Sequence, residues 1–287
     1  MTAIIMKEMR TYFTQMTGYI FLALTTLLTA LFYVSMNVFF RNPNFQQVLS
    51  SITIMFFVII PVLTMRLFAD EVRNRTDQLL FTSPLSIWQI VLGKYLAAGL
   101  LFVLGIVVTM LFPLISAQFG EMPVSQIVGS YLGYTLMGLG FIGLGLFISV
   151  MTENQIIAAV GTAGAIFLFF ILDGLATGMP ADANSSLVFV MAIIAGAAGI
   201  LYHSTKNIVA GAILAVVGFA GAIGLFFANR LMFDAVIPRT LMWLSVFARF
   251  SNLTRGILNM SDIVFYITFA LVFIYLTVNV IEKRRWR

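Results

Sequence analysis

Apolar runs long enough to cross a lipid bilayer recur along the whole of this chain. A spanning helix needs about 20 mainly apolar residues. Only 9% of the residues are charged and 61% are hydrophobic, whereas a soluble domain carries about a quarter charged residues. We therefore predict an all-α polytopic membrane protein with one transmembrane domain over residues 1–287. The predicted spans are residues 18–40, 51–68, 88–116, 127–151, 155–175, 185–202, 208–228 and 262–281.

The number of spans has one alternative. The sixth and seventh runs are the least secure pair, and without them the chain would cross the membrane six times instead of eight. Residues 185–228, which contain both runs, form a possible inserted helical hairpin. Either number is even, so both ends of the chain lie on the same side of the membrane.

Basic residues near the ends of spans indicate which side faces the cytoplasm. Both ends of the chain are basic, so we expect an integral protein of the bacterial plasma membrane with both termini in the cytoplasm. The net charge of +5 is explained by this orientation and by anionic lipid headgroups, without a nucleic acid partner. The basic residues on the cytoplasmic side would be Lys7, Arg10, Arg66, Arg73, Arg75, Lys94, Lys206, Lys283, Arg284, Arg285 and Arg287. Those on the outer side would be Arg41, Arg230, Arg239, Arg249 and Arg255.

Two segments outside the spans mix apolar and charged residues. Residues 1–17 combine Lys7, Glu8 and Arg10 with apolar side chains, as expected of a helix lying in the inner membrane interface. Residues 229–261 form an outer segment that we interpret as interfacial or re-entrant helices. A folded outer loop is the alternative for that segment.

The charged stretch after the second run carries the strongest functional signal. Six ionisable residues lie between Arg66 and Asp77, and each would cost about 2.5–3.5 kcal/mol inside the bilayer. The stretch must therefore leave the membrane. Glu71 and Arg75 are four residues apart, as are Arg73 and Asp77, which predicts an amphipathic helix with paired charges.

Asp70 and Arg73 form a further pair in the predicted surface helix, three residues apart. The helix is then expected to end at a sharp change of direction. Ser83 is a favourable N-cap and Pro84 a favourable first helical residue, so a new helix would start there and continue into the third span. Residues 69–87 are thus expected to form a rigid cytoplasmic segment. An ordinary solvated loop is the alternative interpretation.

We find no catalytic, cofactor or metal site in the sequence. The pair Gly93-Lys94 does not form a phosphate-binding loop, because Trp88 stands where that motif needs glycine and Tyr95 where it needs Ser or Thr. The chain has no cysteine and a single histidine, His203. We therefore predict that this chain is not an enzyme.

Two stretches and the carboxyl end resemble a known family. "KEMRTYF" before the first span and "PVLTMRLFADEVRNRTDQLLFTSPLSIWQIVLGKYL" after it resemble permease subunits of ABC-2-type ATP-binding-cassette transporters. Within them the chain is most similar to the branch that includes the gliding-motility permeases. The end, "VIEKRRWR", is similar to the ends of such chains. Six-span members lack a counterpart to residues 185–228.

The resemblance implies a membrane dimer driven by separate cytoplasmic ATPase subunits. It therefore implies three partners, namely ABC ATPase subunits, a second permease copy and membrane lipids. ATP and Mg would be bound by the ATPase, with no cofactor in this chain. The resemblance places seven residues in or beside the ATPase-coupling element: Asp70, Glu71, Arg73, Arg75, Asp77, Ser83 and Pro84.

The implied function is ATP-driven substrate export or the transmission of force across the membrane. The spans carry few ionisable residues, which favours an external source of energy over an ion gradient. An ATP-independent secondary transporter or channel is one alternative, and a membrane scaffold is another.

Overall fold

A computed structural model describes residues 1–74 and 85–285 of the chain. Every regular element in these ranges is helical, which confirms the predicted all-α class. Short π and 3-10 turns at Val34–Val38, Thr53–Met55, Ala117–Phe119 and Arg230–Phe233 extend or join the α-helices. The α-helices are α1 Thr2–Thr14, α2 Thr17–Tyr33, α3 Gln46–Ile52, α4 Phe56–Thr64, α5 Ala69–Arg73, α6 Ile87–Thr109, α7 Leu111–Ser116, α8 Val124–Met151, α9 Gln155–Gly178, α10 Ala183–Thr205, α11 Ile208–Ala228, α12 Val236–Leu244, α13 Val246–Thr254 and α14 Met260–Arg285.

Eight helical stretches in the described chain are long and apolar enough to span a membrane, as the sequence predicts. They include α10 and α11, the pair that was least secure from sequence. The stretches are Thr17–Val38, Gln46–Arg73, Ile87–Phe119, Val124–Met151, Gln155–Ala176, Ala183–Ser204, Ile208–Ala228 and Met260–Arg284. We call the membrane side that carries α1 the α1 side, and the opposite one the far side.

The third spanning helix begins later than the predicted start at Pro84. Its first residue is Ile87, and Ser86 is its N-cap. The Ser86 side chain accepts from the amide of Gln89, and the Gln89 side chain accepts from the amide of Ser86, which forms a capping box. This reciprocal pair satisfies two amide groups that would otherwise lack partners at the helix start.

The first compact unit comprises Met1–Leu168 and Arg249–Arg287. Its central helix is α8, which packs along α14 and against α4 and α6. Glycines on α8 allow these close approaches, because a β-carbon at Gly138 would overlap the Phe102 ring and one at Gly145 would overlap Thr64. Small residues serve helix packing in membranes in this way.

The second compact unit comprises Phe169–Ala248 and is built on the hairpin of α10 and α11. Gly218 of α11 lies against Ile194 of α10, so the two helices approach closely. Asp173 accepts a hydrogen bond of 2.8 Å from the Ser245 hydroxyl. Within the most apolar stretch of 18 residues in each helix, 11% is buried in α10 and in α11, compared with 67% in α8. The hairpin therefore presents most of its surface to its surroundings.

The predicted outer segment, residues 229–261, contains the short helices α12 and α13. Each has nine residues, fewer than the roughly 20 that a single span requires. Ser245 has an extended conformation between them, with ψ near 124°. The segment thus consists of separate short helices instead of one continuous span.

Candidate functional site

A buried lysine lies close to the α1 side of the third span. Lys94 of α6 is 1% exposed, and its Nζ lies 2.9 Å from Glu8 Oε1 and 2.9 Å from Glu71 Oε1. It also donates a 2.7 Å hydrogen bond to the carbonyl oxygen of Leu67. An ammonium group has three donors, and here it meets three oxygen acceptors. The ring of Phe68 lies 5.0 Å from Nζ and covers the charge further.

A second lysine completes the group from the solvent side. Lys7 Nζ lies 3.0 Å from Glu71 Oε1 and 3.7 Å from Glu8 Oε1. Partial burial lowers the pKa of Lys7, but the charges of Glu71 and Glu8 outweigh that effect and raise it. We call Lys7, Glu8, Glu71 and Lys94 the charge cluster. It contains two basic and two acidic side chains.

The charge cluster joins three elements that are far apart in sequence. Glu8 lies on α1, Glu71 on α5 and Lys94 on α6, and 86 positions separate Glu8 from Lys94. Two further contacts hold α1 in place. The Tyr12 hydroxyl donates to the carbonyl oxygen of Leu63 at 3.0 Å, and Ile4 packs directly on Gly93, where a β-carbon would crowd it. The first helix is therefore fixed to the second and third spans.

A serine from another span shapes the start of α5. The helix is interrupted between α4 and α5, and the N-cap residue of α5, Phe68, makes no capping hydrogen bond with its own side chain. Ser149 of α8 supplies one, because its Oγ accepts from the amides of Phe68 at 3.1 Å and Ala69 at 3.2 Å. Its proton goes to the carbonyl oxygen of Met65 at 3.3 Å. The amides at the start of α5 are therefore satisfied by a side chain from another helix instead of by a neighbouring residue.

The same region contacts the turn between α8 and α9. Arg66 Nε donates to Gln155 Oε1 at 3.1 Å, and Gln155 Nε2 donates to Asp70 Oδ1. Gln155 thus bridges the end of the second span to α5. The described part of residues 69–87 is attached to α1, α6, α8 and α9.

The predicted site residues divide into three groups. Asp70 and Glu71 face the protein, since Asp70 is bonded to Gln155 instead of the expected Arg73, and Glu71 belongs to the charge cluster. Arg73 is exposed at the end of α5. The remaining predicted residues, Arg75, Asp77, Ser83 and Pro84, lie outside the described residues.

The partners of this segment were not predicted from the sequence. Lys94 was interpreted as an orientation signal and, together with Gly93, excluded as a phosphate-binding loop, although a lysine within an apolar run is itself a functional indicator. Glu8 was interpreted as part of an amphipathic pattern, and Ser149 and Gln155 were given no role. No local signal identifies the last two, because their partners named above lie 80 or more positions away.

A cleft of about 230 Å³ opens beside the charge cluster. Its walls include Thr11 of α1, Gln15 directly after that helix, Arg66 and Asn74. Most of the residues that line the cleft are polar or charged, so it could accept a polar or charged group.

A separate buried ion pair lies on the far side. Arg249 Nη1 is 3.1 Å from Asp262 Oδ1, and Asn252 donates to Asp262 Oδ2 at 3.2 Å. The guanidinium also covers the Phe265 ring at 4.1 Å. This pair connects α13 to the first turn of α14, 13 positions along the chain.

Comparison with known proteins gives one family match. Searches among curated proteins and among solved structures found no significant match. The sequence model of the family described as ABC-2 family transporter protein matches residues 4–248, which is most of the chain. The chain therefore belongs to the ABC-2 family of transporters, as an integral membrane permease component.

Proposed function

We propose that separate cytoplasmic ATPase subunits drive this permease, and that they dock on residues 69–87 together with α1. The observation that carries the proposal is the charge cluster, which ties the beginning of that segment to two other elements. An ordinary solvated loop would not require a buried lysine where it joins the membrane helices.

The charge cluster gives a physical route for movement. Lys94 is shielded from water, so its attraction to Glu8 and Glu71 is stronger than between exposed groups. A push on α5 would therefore be carried to α1 and to the third span together. Gln155 would carry the same push to the fifth span.

The exposed residues around α5 form the surface on which a partner could dock. Arg73 and Asn74 are exposed at the end of α5, and Trp88 is 41% exposed at the start of α6. Arginine and tryptophan are both enriched among residues that dominate protein interfaces. We propose that these residues contact the ATPase directly, with Arg75 and Asp77 in the adjoining stretch.

Topology and assembly follow from the same proposal. The α1 side would face the cytoplasm of a bacterial plasma membrane, in agreement with the distribution of Lys and Arg. Two permease copies, or this chain and a related one, would pair in the membrane, with ATP and Mg bound by the ATPases. Their cycle would drive substrate export or transmit force to an outer partner. The stretch "ADEVRNRTDQLLFTSPLSIWQIVLGKY" supports placement in the gliding-motility branch.

Affinity purification from native membranes in mild detergent, followed by mass spectrometry, tests the proposal. We expect to recover an ATP-binding-cassette protein at about one copy per permease, because a pair of permease chains would bind a pair of ATPase subunits. Replacing Arg73→Glu together with Arg75→Glu should reduce its recovery about tenfold, because acidic groups that complement these arginines would then face like charges. Membrane insertion should be unchanged.

Lys206→Glu is the matched control, since Lys206 is exposed in the turn between α10 and α11, and the distribution of basic residues predicts that this turn is cytoplasmic as well. It should leave recovery of the ATPase unaltered. Equal loss in both variants would contradict the proposed dock. Recovery of the permease alone in several detergents would favour an ATP-independent transporter or a scaffold.

A further inference from the structure

A pocket of about 440 Å³, lined by both apolar and polar side chains, lies on the far side between the first and second spans. Its polar walls are side chains that carry amide or hydroxyl groups. No ionisable residue lines it among the residues that the structure describes. The polar lining consists of Asn42, Gln46, Gln47, Ser50 and Ser51.

The first turns of α3 provide most of this lining. Gln46 and Ser50 are four positions apart, as are Gln47 and Ser51, so all four lie on one side of the helix. Ser50 Oγ donates to the carbonyl oxygen of Gln46 at 3.1 Å, and Ser51 Oγ donates to that of Gln47 at 3.0 Å. Both hydroxyl protons are thus used, and the oxygens offer acceptor lone pairs. The glutamine amides add donors.

The pocket is held in shape before any ligand arrives. Fully buried Asn37 donates its Nδ2 to the carbonyl oxygen of Asn42 at 2.6 Å. Asn42 Oδ1 accepts from the amide of Asn44, and Asn44 Oδ1 accepts from that of Gln46. Phe45 lies beneath this ladder and is 0% exposed. A preformed site loses less entropy when it binds.

One side of the pocket is apolar and faces the membrane boundary. Met36 and Phe40 complete the lining. Met36 lies in the last turn of the first span, Thr17–Val38, and Phe40 lies two residues beyond it. Phe39 and Phe40 are 77% and 78% exposed. At the end of a membrane span, apolar surface is expected to meet lipid chains and polar side chains to lie at the level of lipid headgroups.

We propose that this pocket binds the neutral sugar headgroup of a membrane lipid. Sugar hydroxyl groups both donate and accept hydrogen bonds, which matches the mixed lining. A phosphate or ammonium group would enter without a counter-charge among the described lining, and that costs free energy. A soluble sugar has the same chemistry and is the other source of ligand. The inference is independent of the proposed ATPase docking.

Native mass spectrometry of the full chain released from micelles tests this inference. The probes are monoglucosyl diacylglycerol, diacylglycerol with the same acyl chains, and phosphatidic acid. We expect the glucolipid to bind about tenfold more tightly than diacylglycerol, as two net hydrogen bonds would give. Gln46→Leu with Gln47→Leu should abolish that preference. Gln118→Leu, at an exposed glutamine on the same membrane side, should retain it.

The remaining outcomes separate the sources of ligand. Displacement of the glucolipid by methyl glucoside would identify soluble sugar as an equal ligand of the pocket. A preference for phosphatidic acid, or an undiminished preference in the double variant, would overturn the proposal. If the double variant fails to fold, a photoreactive group on the glucolipid sugar should label residues 42–51 of the native chain. Labelling elsewhere would then refute the site.

Discussion

The two buried charge groups of the first compact unit differ in what they connect. The charge cluster joins groups 64 and 86 positions apart in sequence. The pair of Arg249 and Asp262 on the far side joins groups 13 positions apart. Both are largely hidden from solvent, since the side chains of Lys94 and Asp262 are 2% and 4% exposed.

The contrast indicates two uses of buried charge. The pair of Arg249 and Asp262 holds together two helices that follow one another in the sequence. Asp262 also lies in the first turn of α14, where a negative charge is favoured by the positive end of the helix dipole. The charge cluster instead unites a surface helix, a short charged helix and a span. Under the proposed function, it is the group that would pass a displacement from outside the membrane to the bundle.

Removing the central lysine should have the largest effect. Lys94→Met leaves the carboxylates of Glu8 and Glu71 without their buried counter-charge, so we expect the free energy of unfolding to fall by about 3–5 kcal/mol. Hydrogen exchange along α1 should rise at the same time. Unfolding in mixed micelles and exchange measured by mass spectrometry check both effects.

A neutral replacement of the whole group provides the control. Lys94→Met combined with Glu8→Gln and Glu71→Gln leaves no buried charge, and it should recover much of the lost stability. A Lys94→Met variant as stable as the native chain would show that the charge cluster does not hold α1.

The far-side pair should matter less, and only locally. Arg249→Met should lower the free energy of unfolding by about 2–3 kcal/mol, because Asn252 still donates to Asp262. Hydrogen exchange should rise at the start of α14 and stay unchanged in α1. The same measurements as for Lys94 apply, and increased exchange in α1 would erase the proposed distinction between the two groups.

The exposed member of the charge cluster should contribute least. The Lys7 side chain is 56% exposed, so Lys7→Gln should cost about 1 kcal/mol or less. Because the pKa of Lys7 is raised, its contribution is complete below the ordinary value of 10.5 and is lost as pH rises through the folded value. The stability difference from the native chain should be constant at neutral pH and shrink only in strong alkali. Loss of the difference near neutral pH would contradict this assignment.

The length and composition of the apolar runs were enough to predict the eight spanning helices. The capping box at Ser86 and Gln89 was also readable, although Ser83 and Pro84 gave a competing signal. The charge cluster could not be predicted, because it depends on α1 folding back across α6 at Gly93. The roles of Ser149 and Gln155 depend on tertiary contacts of the same kind, which periodicity within one helix does not encode.

The most direct test of ATPase docking uses a photoreactive amino acid at position 73 in native membranes. With the reactive group replacing Arg73, irradiation should link the permease to an ATP-binding-cassette protein. The same group replacing Lys206, a residue that the sequence also predicts to be cytoplasmic, should give no such product. Linkage from position 206 with none from position 73 would contradict the account and place the ATPase elsewhere.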